Sequence, residues 1–231
     1  MVGLQRTLAV VLLAGTALLG IGAVLHPVLV GDAASQLRII AATSYWRPLH
    51  LAMLAGSALV AAGVWVRLVD RPSTSGARDG PSNMAIAALA LVAVGICLNA
   101  LNIAYMAGSG THMASLFAQG RTEMSAVFDA THPIGQMAAR FGNLVIALGA
   151  LALGWAEWQD PFRPRWLAWL AWVAGIGGLI GAVFFDEASP VALAAVALLS
   201  GWQVGTAVRA LAIGGPAQVG GAWEGIHKGI R

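Results

Sequence analysis

MAIAALALVAVGICLNALNIAYM, residues 84–106, decides the fold, because no Asp, Glu, Lys or Arg interrupts it. A helix rising about 1.5 Å per residue needs about 20 apolar residues to cross a bilayer core, and this stretch supplies them. Five further stretches of that kind flank it, at residues 8–30, 49–69, 133–155, 166–185 and 190–213. Their Ala, Leu and Gly content, without short alternating segments, points to helices and not to a barrel, since hydrocarbon tolerates only backbones that satisfy their own hydrogen bonds. Composition agrees: 58% hydrophobic and 10% charged residues leave too little polar surface to clothe a soluble globule. The predicted class is an all-α integral membrane protein with six transmembrane helices arranged as three hairpins.

Arg6 before the first stretch and Ala33-Ala34 after it give that segment the outline of a signal peptide. Its apolar run is longer than a signal core, so it is read as the first spanning helix. In the fourth stretch Gln136, Arg140 and Asn143 interrupt the first turns, and Arg140 must snorkel or find a partner.

Basic residues set the orientation. Nine of the 13, namely Arg6, Arg67, Arg71, Arg78, Arg163, Arg165, Arg209, Lys228 and Arg231, fall on the side shared by both termini. Arg38, Arg47, Arg121 and Arg140 fall on the other. The expectation is a protein of the cell membrane with both termini cytoplasmic. Trp65, Trp155, Trp158, Trp166 and Trp169 then form an inner interfacial belt, and Tyr45, Trp46 and Tyr105 an outer one. The pI near 9.8 does not imply nucleic acid, because the cations are scattered at helix ends without a run or an aromatic-interleaved patch. Cys97 is the single cysteine, which excludes an intramolecular disulfide and a Cys-based zinc site.

Two outer connections are long. Leu37, Ile40 and Ala41 give the first an amphipathic pattern suited to lying on the membrane surface, and Met113, Leu116, Phe117, Met124, Val127 and Phe128 predict two short surface helices around Gly120 in the second. Residues 71–82 have linker composition, and residues 186–190 form a short turn. Residues 1–158 are read as a four-helix bundle with an outer His/Met cluster, and residues 159–231 as a Gly-packed hairpin with a tail. Residues 56–63 resemble residues 142–149 in pattern, a weak hint of internal duplication. Gly177 with Gly181 and Gly201 with Gly205 are small-xxx-small pairs, making helices 5 and 6 candidate contacts for partner membrane subunits. Asn99, Asn102 and Gln203 are expected to hydrogen-bond between helices, because an unpaired amide in hydrocarbon is costly.

His26, His50, His112 and His132 all fall at the outer face, with Met53 and Met113 beside them. Imidazole and thioether together suit copper, particularly Cu(I), and paired histidines on facing helices suit haem b. Arg47 and Arg140 would then meet haem propionates. The candidate cofactor ligands are thus His26, His50, His112, His132, Arg47 and Arg140 for haem, and the four histidines with Met53 and Met113 for a metal. The functional expectation is electron transfer or metal handling. Its alternative is a cofactor-free accessory subunit of a respiratory or photosynthetic type of complex, with the histidines merely interfacial. No catalytic residue is predicted: Asp129 and Thr131 read as the N-terminal cap of the fourth helix, and no nucleophile elbow, phosphate loop or dinucleotide fingerprint is present. No midplane ionisable residue or broken helix points to transport.

Overall fold

The computed structural model describes residues 2–69, 82–161, 163–185 and 189–213. Most of the 71–82 linker, residues 186–188 of the short turn, and the tail with Lys228 and Arg231 lie outside the described residues. The helices are α1 (Val2–Leu25), α2 (Ala33–Ala42), α3 (Trp46–Gly63), α4 (Val66–Val69), α5 (Asn83–Tyr105), α6 (Thr111–Ala118), α7 (Met124–Gln159), α8 (Arg165–Phe184) and α9 (Pro190–Ile213). A π-helical turn, Met106–Gly110, joins α5 to α6, and no strand occurs among the described residues.

Six helical segments are long and apolar enough to cross a membrane: Gly3–Leu25, Trp46–Val69, Asn83–Ala118, Met124–Gln159, Arg165–Phe184 and Leu193–Ile213. The chain is an all-helical, multi-pass membrane protein by this criterion. Val24, Ile134 and Phe184 are 85, 70 and 75% exposed, a surface that water would penalise and lipid tails accept.

The spans form a closed ring. α1 packs on α3, α3 on α5, α5 on α7, α7 on α8, α8 on α9, and α9 returns to α1. Leu12, Val60, Leu89, Val92, Ile146, Leu153, Leu199 and Trp202 fill the middle of that ring. Two close crossings hold it. A Cβ on Gly15 would stand 2.8 Å from the Gly56 carbonyl oxygen, and a Cβ on Gly95 would stand 2.6 Å from that of Gly142. Only glycine permits such approach, and the backbone packing stabilises helix pairs in lipid, where no hydrophobic force acts between them.

The two crossings are alike in their glycine pattern. Gly56 and Gly63 on α3 meet Gly15 and Leu12 of α1, while Gly142 and Gly149 on α7 meet Gly95 and Val92 of α5. In each half a spanning helix leads to a short helix, α2 or α6, and then to a second span, and the two short helices pack on each other.

At this end of the bundle the structure differs from the sequence reading in three places. Leu37 and Ile40 of α2 do not face lipid: both are buried in a second core with Trp46, Met106, Met113, Ala114 and Phe128, while Ala41 is exposed. The second of the two short helices expected around Gly120 is instead the start of α7, which begins at Met124 and carries Pro133 within it. Asp129 and Thr131 therefore cap nothing, and Thr131 Oγ1 donates to the Val127 carbonyl as a mid-helix residue. α6 ends in a Schellman motif, with Gly120 at φ +93°, its N–H donating to the Phe117 carbonyl and that of Arg121 to the Leu116 carbonyl.

The amide expectation is met at two positions. Asn99 Nδ2 donates to Asn143 Oδ1 at 2.8 Å between α5 and α7, and Thr16 Oγ1 donates to Gln203 Oε1 at 3.0 Å between α1 and α9. Asn102 Oδ1 is buried without a hydrogen-bond partner. Gly177 meets Leu198 of α9, and Gly205 meets Leu170 and Trp166 of α8, so these glycines serve the α8–α9 contact within the chain.

Candidate functional site

His26 follows the last residue of α1, and Pro27 after it biases the backbone to extended conformations, so the helix stops there. His50 lies in α3, whose first turn contains Pro48, a position where the missing N–H has no intrahelical acceptor to lose. Because α1 packs along α3, the two rings meet, with Nε2 to Nε2 separated by 3.2 Å and centroids by 5.0 Å.

The tautomer of His50 follows from its other nitrogen. Nδ1 lies 2.8 Å from the Trp46 carbonyl oxygen, which can only accept, so Nδ1 carries the proton and Nε2 presents a lone pair to His26. Trp46 roofs the pair, its ring 4.8 Å from that of His26 and 4.5 Å from that of His50. The indole is 1% exposed and its Nε1 donates to the Met106 carbonyl at 3.3 Å. That carbonyl also accepts from Thr111 Oγ1 at 2.9 Å, so the π-helical turn is tied to α3 and α6 at one atom. His26 lies just beyond the first span. Burial and the neighbouring His50 push its imidazole down to about 4, against a smaller upward pull from the Pro27 backbone, so it is neutral at pH 7.

Met53 lies on the same α1–α3 seam. It lies on α3 one turn after His50, and Gly22 lies on α1 one turn before His26, which puts both on the facing surfaces. The Met53 side chain fills the place of the missing Gly22 side chain, with Sδ 2.9 Å from where a Cβ would be. The seam between α1 and α3 thus carries two imidazoles and one thioether.

The other predicted residues stand apart from this trio. His132 is sandwiched between Phe128 and Tyr105, with ring centroids 4.5 and 6.3 Å away, and Tyr105 OH bonds to Thr131 Oγ1 at 2.7 Å. His112 is exposed on α6, Arg140 is half-buried on α7, and Met113 is buried in the α2–α6 core. Arg47 is exposed at the start of α3. No group of three or more His, Cys, Asp or Glu side chains gathers as a metal site among the described residues.

A second polar centre lies at the opposite end of the bundle, where the sequence reading counted Arg67 only among the basic residues on the side of the termini. Arg67 on α4 and Glu157 on α7 form an ion pair, each side chain 4% exposed. Arg163 donates to the Arg67 carbonyl at 2.8 Å and stands 3.7 Å from Asp160. Trp202 Nε1 and Thr206 Oγ1 line a narrow crevice beside Arg67, without hydrogen-bond partners. A signal was present: Arg67 sits in the run Val64-Trp65-Val66-Arg67-Leu68-Val69, and Glu157 between Ala156 and Trp158, where an unpaired charge would be expensive.

Comparison of the chain with protein families, with curated proteins and with solved structures finds no match in any of the three.

Proposed function

We propose that the protein is a multi-pass metal-handling protein of the cell membrane, in which His26 and His50 clasp a copper ion for metal transfer or electron transfer. The observation that carries this reading is the 3.2 Å separation of the two Nε2 atoms. With metal–imidazole bonds of about 2.0–2.1 Å, that separation corresponds to an N–metal–N angle of about 100–106°, close to tetrahedral. The Nδ1–H of His50 is held by a backbone carbonyl, the outer-shell arrangement that fixes a metal-ligating histidine. Met53, on the same α1–α3 seam, would supply a soft third ligand of the kind Cu(I) selects. Haem suits the pair less well. Its two axial ligands stand on opposite faces of the macrocycle, whereas these nitrogens converge on one point.

The three hairpins and the cytoplasmic placement of both termini belong to the same proposal, supported by the bias of basic residues toward one side. In that orientation the histidine pair opens to the outer face, where copper is acquired or exchanged.

The test is a Cu(I) titration of the detergent-purified chain against a chromophoric chelator, with oxidised and dithionite-reduced spectra of the same sample. One copper per chain, lost in His26→Ala and His50→Ala, is the expected result. A Soret band that shifts on reduction would replace copper by haem, and absence of both copper binding and a Soret band would overturn the reading.

One feature favours the cofactor-free accessory subunit as a second reading. Trp166 and Trp169 on α8 are 49 and 56% exposed, and Gly201 on α9 has open space beside it, a surface that fits lipid or a neighbouring subunit. Under that reading Gly201→Leu abolishes co-purification of a partner while copper binding is nil.

A further inference from the structure

A cleft of about 390 Å³ opens at the histidine end, between the C-terminus of α2, the start of α3 and the length of α6. Its volume lies in the lower range of small-molecule sites. It sits at the junction of the two similar halves, and Trp46 forms the wall between it and the His26–His50 pair.

The lining mixes apolar residues, Ile40, Ala41, Trp46, Ala114 and Ala118, with polar ones, and its charge is of one sign. Thr43, Ser44, Arg47, Thr111, Ser115 and Gln119 contribute side chains, and no carboxylate lines the cleft. Thr43 and Thr111 spend their hydroxyl protons on the Ile39 and Met106 carbonyls. Ser115 Oγ accepts from Gln119 Nε2 at 3.3 Å, which leaves its own proton to donate. Ser44 makes no side-chain hydrogen bond and Arg47 no ion pair among the described residues. The other two exposed arginines at this end are already engaged, since Arg121 pairs with Glu123 at 2.5 Å and Arg38 stands over the Phe117 ring, 5.8 Å from its centroid.

Arg47 is also placed against the local field. It occupies the first turn of α3, where the helix dipole favours an anion, and Tyr45 provides no side-chain cap there. The conflict disappears if an anionic group sits in the cleft, meeting the guanidinium fork, the Ser44 and Ser115 hydroxyls and the positive end of α3 together.

We infer that this cleft binds a phosphate-bearing group, anchored by Arg47, at the boundary between membrane and water. The chemistry is shared by an anionic lipid headgroup and by a small soluble phosphate ester, and the cleft recognises the phosphate in either. This site stands whether or not the histidine pair holds a metal.

Native mass spectrometry of the full chain released from detergent reads the site directly, with phosphatidylglycerol and inorganic phosphate as probes. The expected result is one phosphate-bearing molecule retained per chain, with apparent affinity about tenfold lower in Arg47→Gln, the loss of one charge-assisted hydrogen bond. Ser115→Leu, which fills the cleft without touching charge, weakens retention as well, and Arg121→Gln leaves it unchanged. Phosphatidylglycerol retained and not displaced by phosphate identifies a lipid headgroup, and displacement by phosphate identifies a soluble ester. Equal retention in wild type and Arg47→Gln, or equal losses in Arg47→Gln and Arg121→Gln, would overturn the proposal, the latter by reducing it to nonspecific surface charge.

Discussion

Met53 Sδ lies 2.9 Å from the position a Cβ on Gly22 would take, so the thioether occupies the space that glycine leaves on α1. The three nearest atoms all belong to the flexible Met53 side chain, from Cγ outward, and none is backbone. Gly22→Ala should therefore fold and displace Met53 from the seam it shares with His26 and His50. Cu(I) affinity is expected to fall about tenfold, with Met53→Leu giving the same loss, because a thioether ligand is removed and the imidazoles remain. Chelator competition measures both variants. Wild-type affinity in both would remove Met53 from the ligand set and leave the site to the two histidines.

The histidine pair itself separates two kinds of contribution. His50 is 2% exposed, and replacing it by Ala leaves a void under Trp46 and a buried carbonyl without its donor. His26→Ala removes a half-buried ring that meets His50 and packs against Trp46 but holds no buried backbone carbonyl in the way His50 does. Thermal unfolding in detergent should show His50→Ala destabilised by about 1–3 kcal/mol and His26→Ala by less, although both lose copper. Equal destabilisation would mean that the Trp46 carbonyl finds water when His50 is removed.

Six of the structural elements were legible because their signal is local. Residues 84–106 need only their own apolar side chains to declare a span, and the same holds for the other five. The start of α7 was not legible. Pro133 reads as a helix boundary, and only packing of Phe128 against the α2–α6 core carries the helix two turns upstream of it. His26 and His50 lie at the helix ends read for them, whereas His132, read as preceding the fourth helix, lies more than two turns inside α7, and axial position says nothing of azimuth. His26 and His50 meet because α1 and α3 cross at Gly15 and Gly56, whereas His132 turns toward Tyr105 and Phe128. Arg67 was counted only for its charge in the orientation argument, and its burial is matched by Glu157, which lies 90 residues away in the chain.

The close crossings give a sharper stability test than the apolar core. A Cβ at position 95 would meet the Gly142 carbonyl oxygen and the Ile146 nitrogen, both backbone atoms that can yield only if α5 and α7 separate. Separation would also stretch the Asn99–Asn143 hydrogen bond, one turn further along the same seam. Gly95→Val should lower the unfolding temperature well below that of Gly201→Val, since Gly201 has nothing within 4 Å of a new side chain. Similar unfolding temperatures for the two variants would show that the ring tolerates a wider α5–α7 spacing.

The Arg67–Glu157 pair makes the strongest single-residue prediction. Both side chains are 4% exposed, so replacing one partner removes a buried counter-charge from the other. Glu157→Gln should destabilise the fold by about 3–5 kcal/mol, as breaking a buried pair generally does. Replacing both, Arg67→Met with Glu157→Leu, removes the uncompensated charge and should recover most of that loss. If the pair has only this structural role, the double variant keeps copper binding at the far end of the bundle unchanged. If it also couples the two ends, copper affinity in the double variant falls although stability is restored, and the comparison of unfolding temperature with Cu(I) affinity in the same preparation decides between the two.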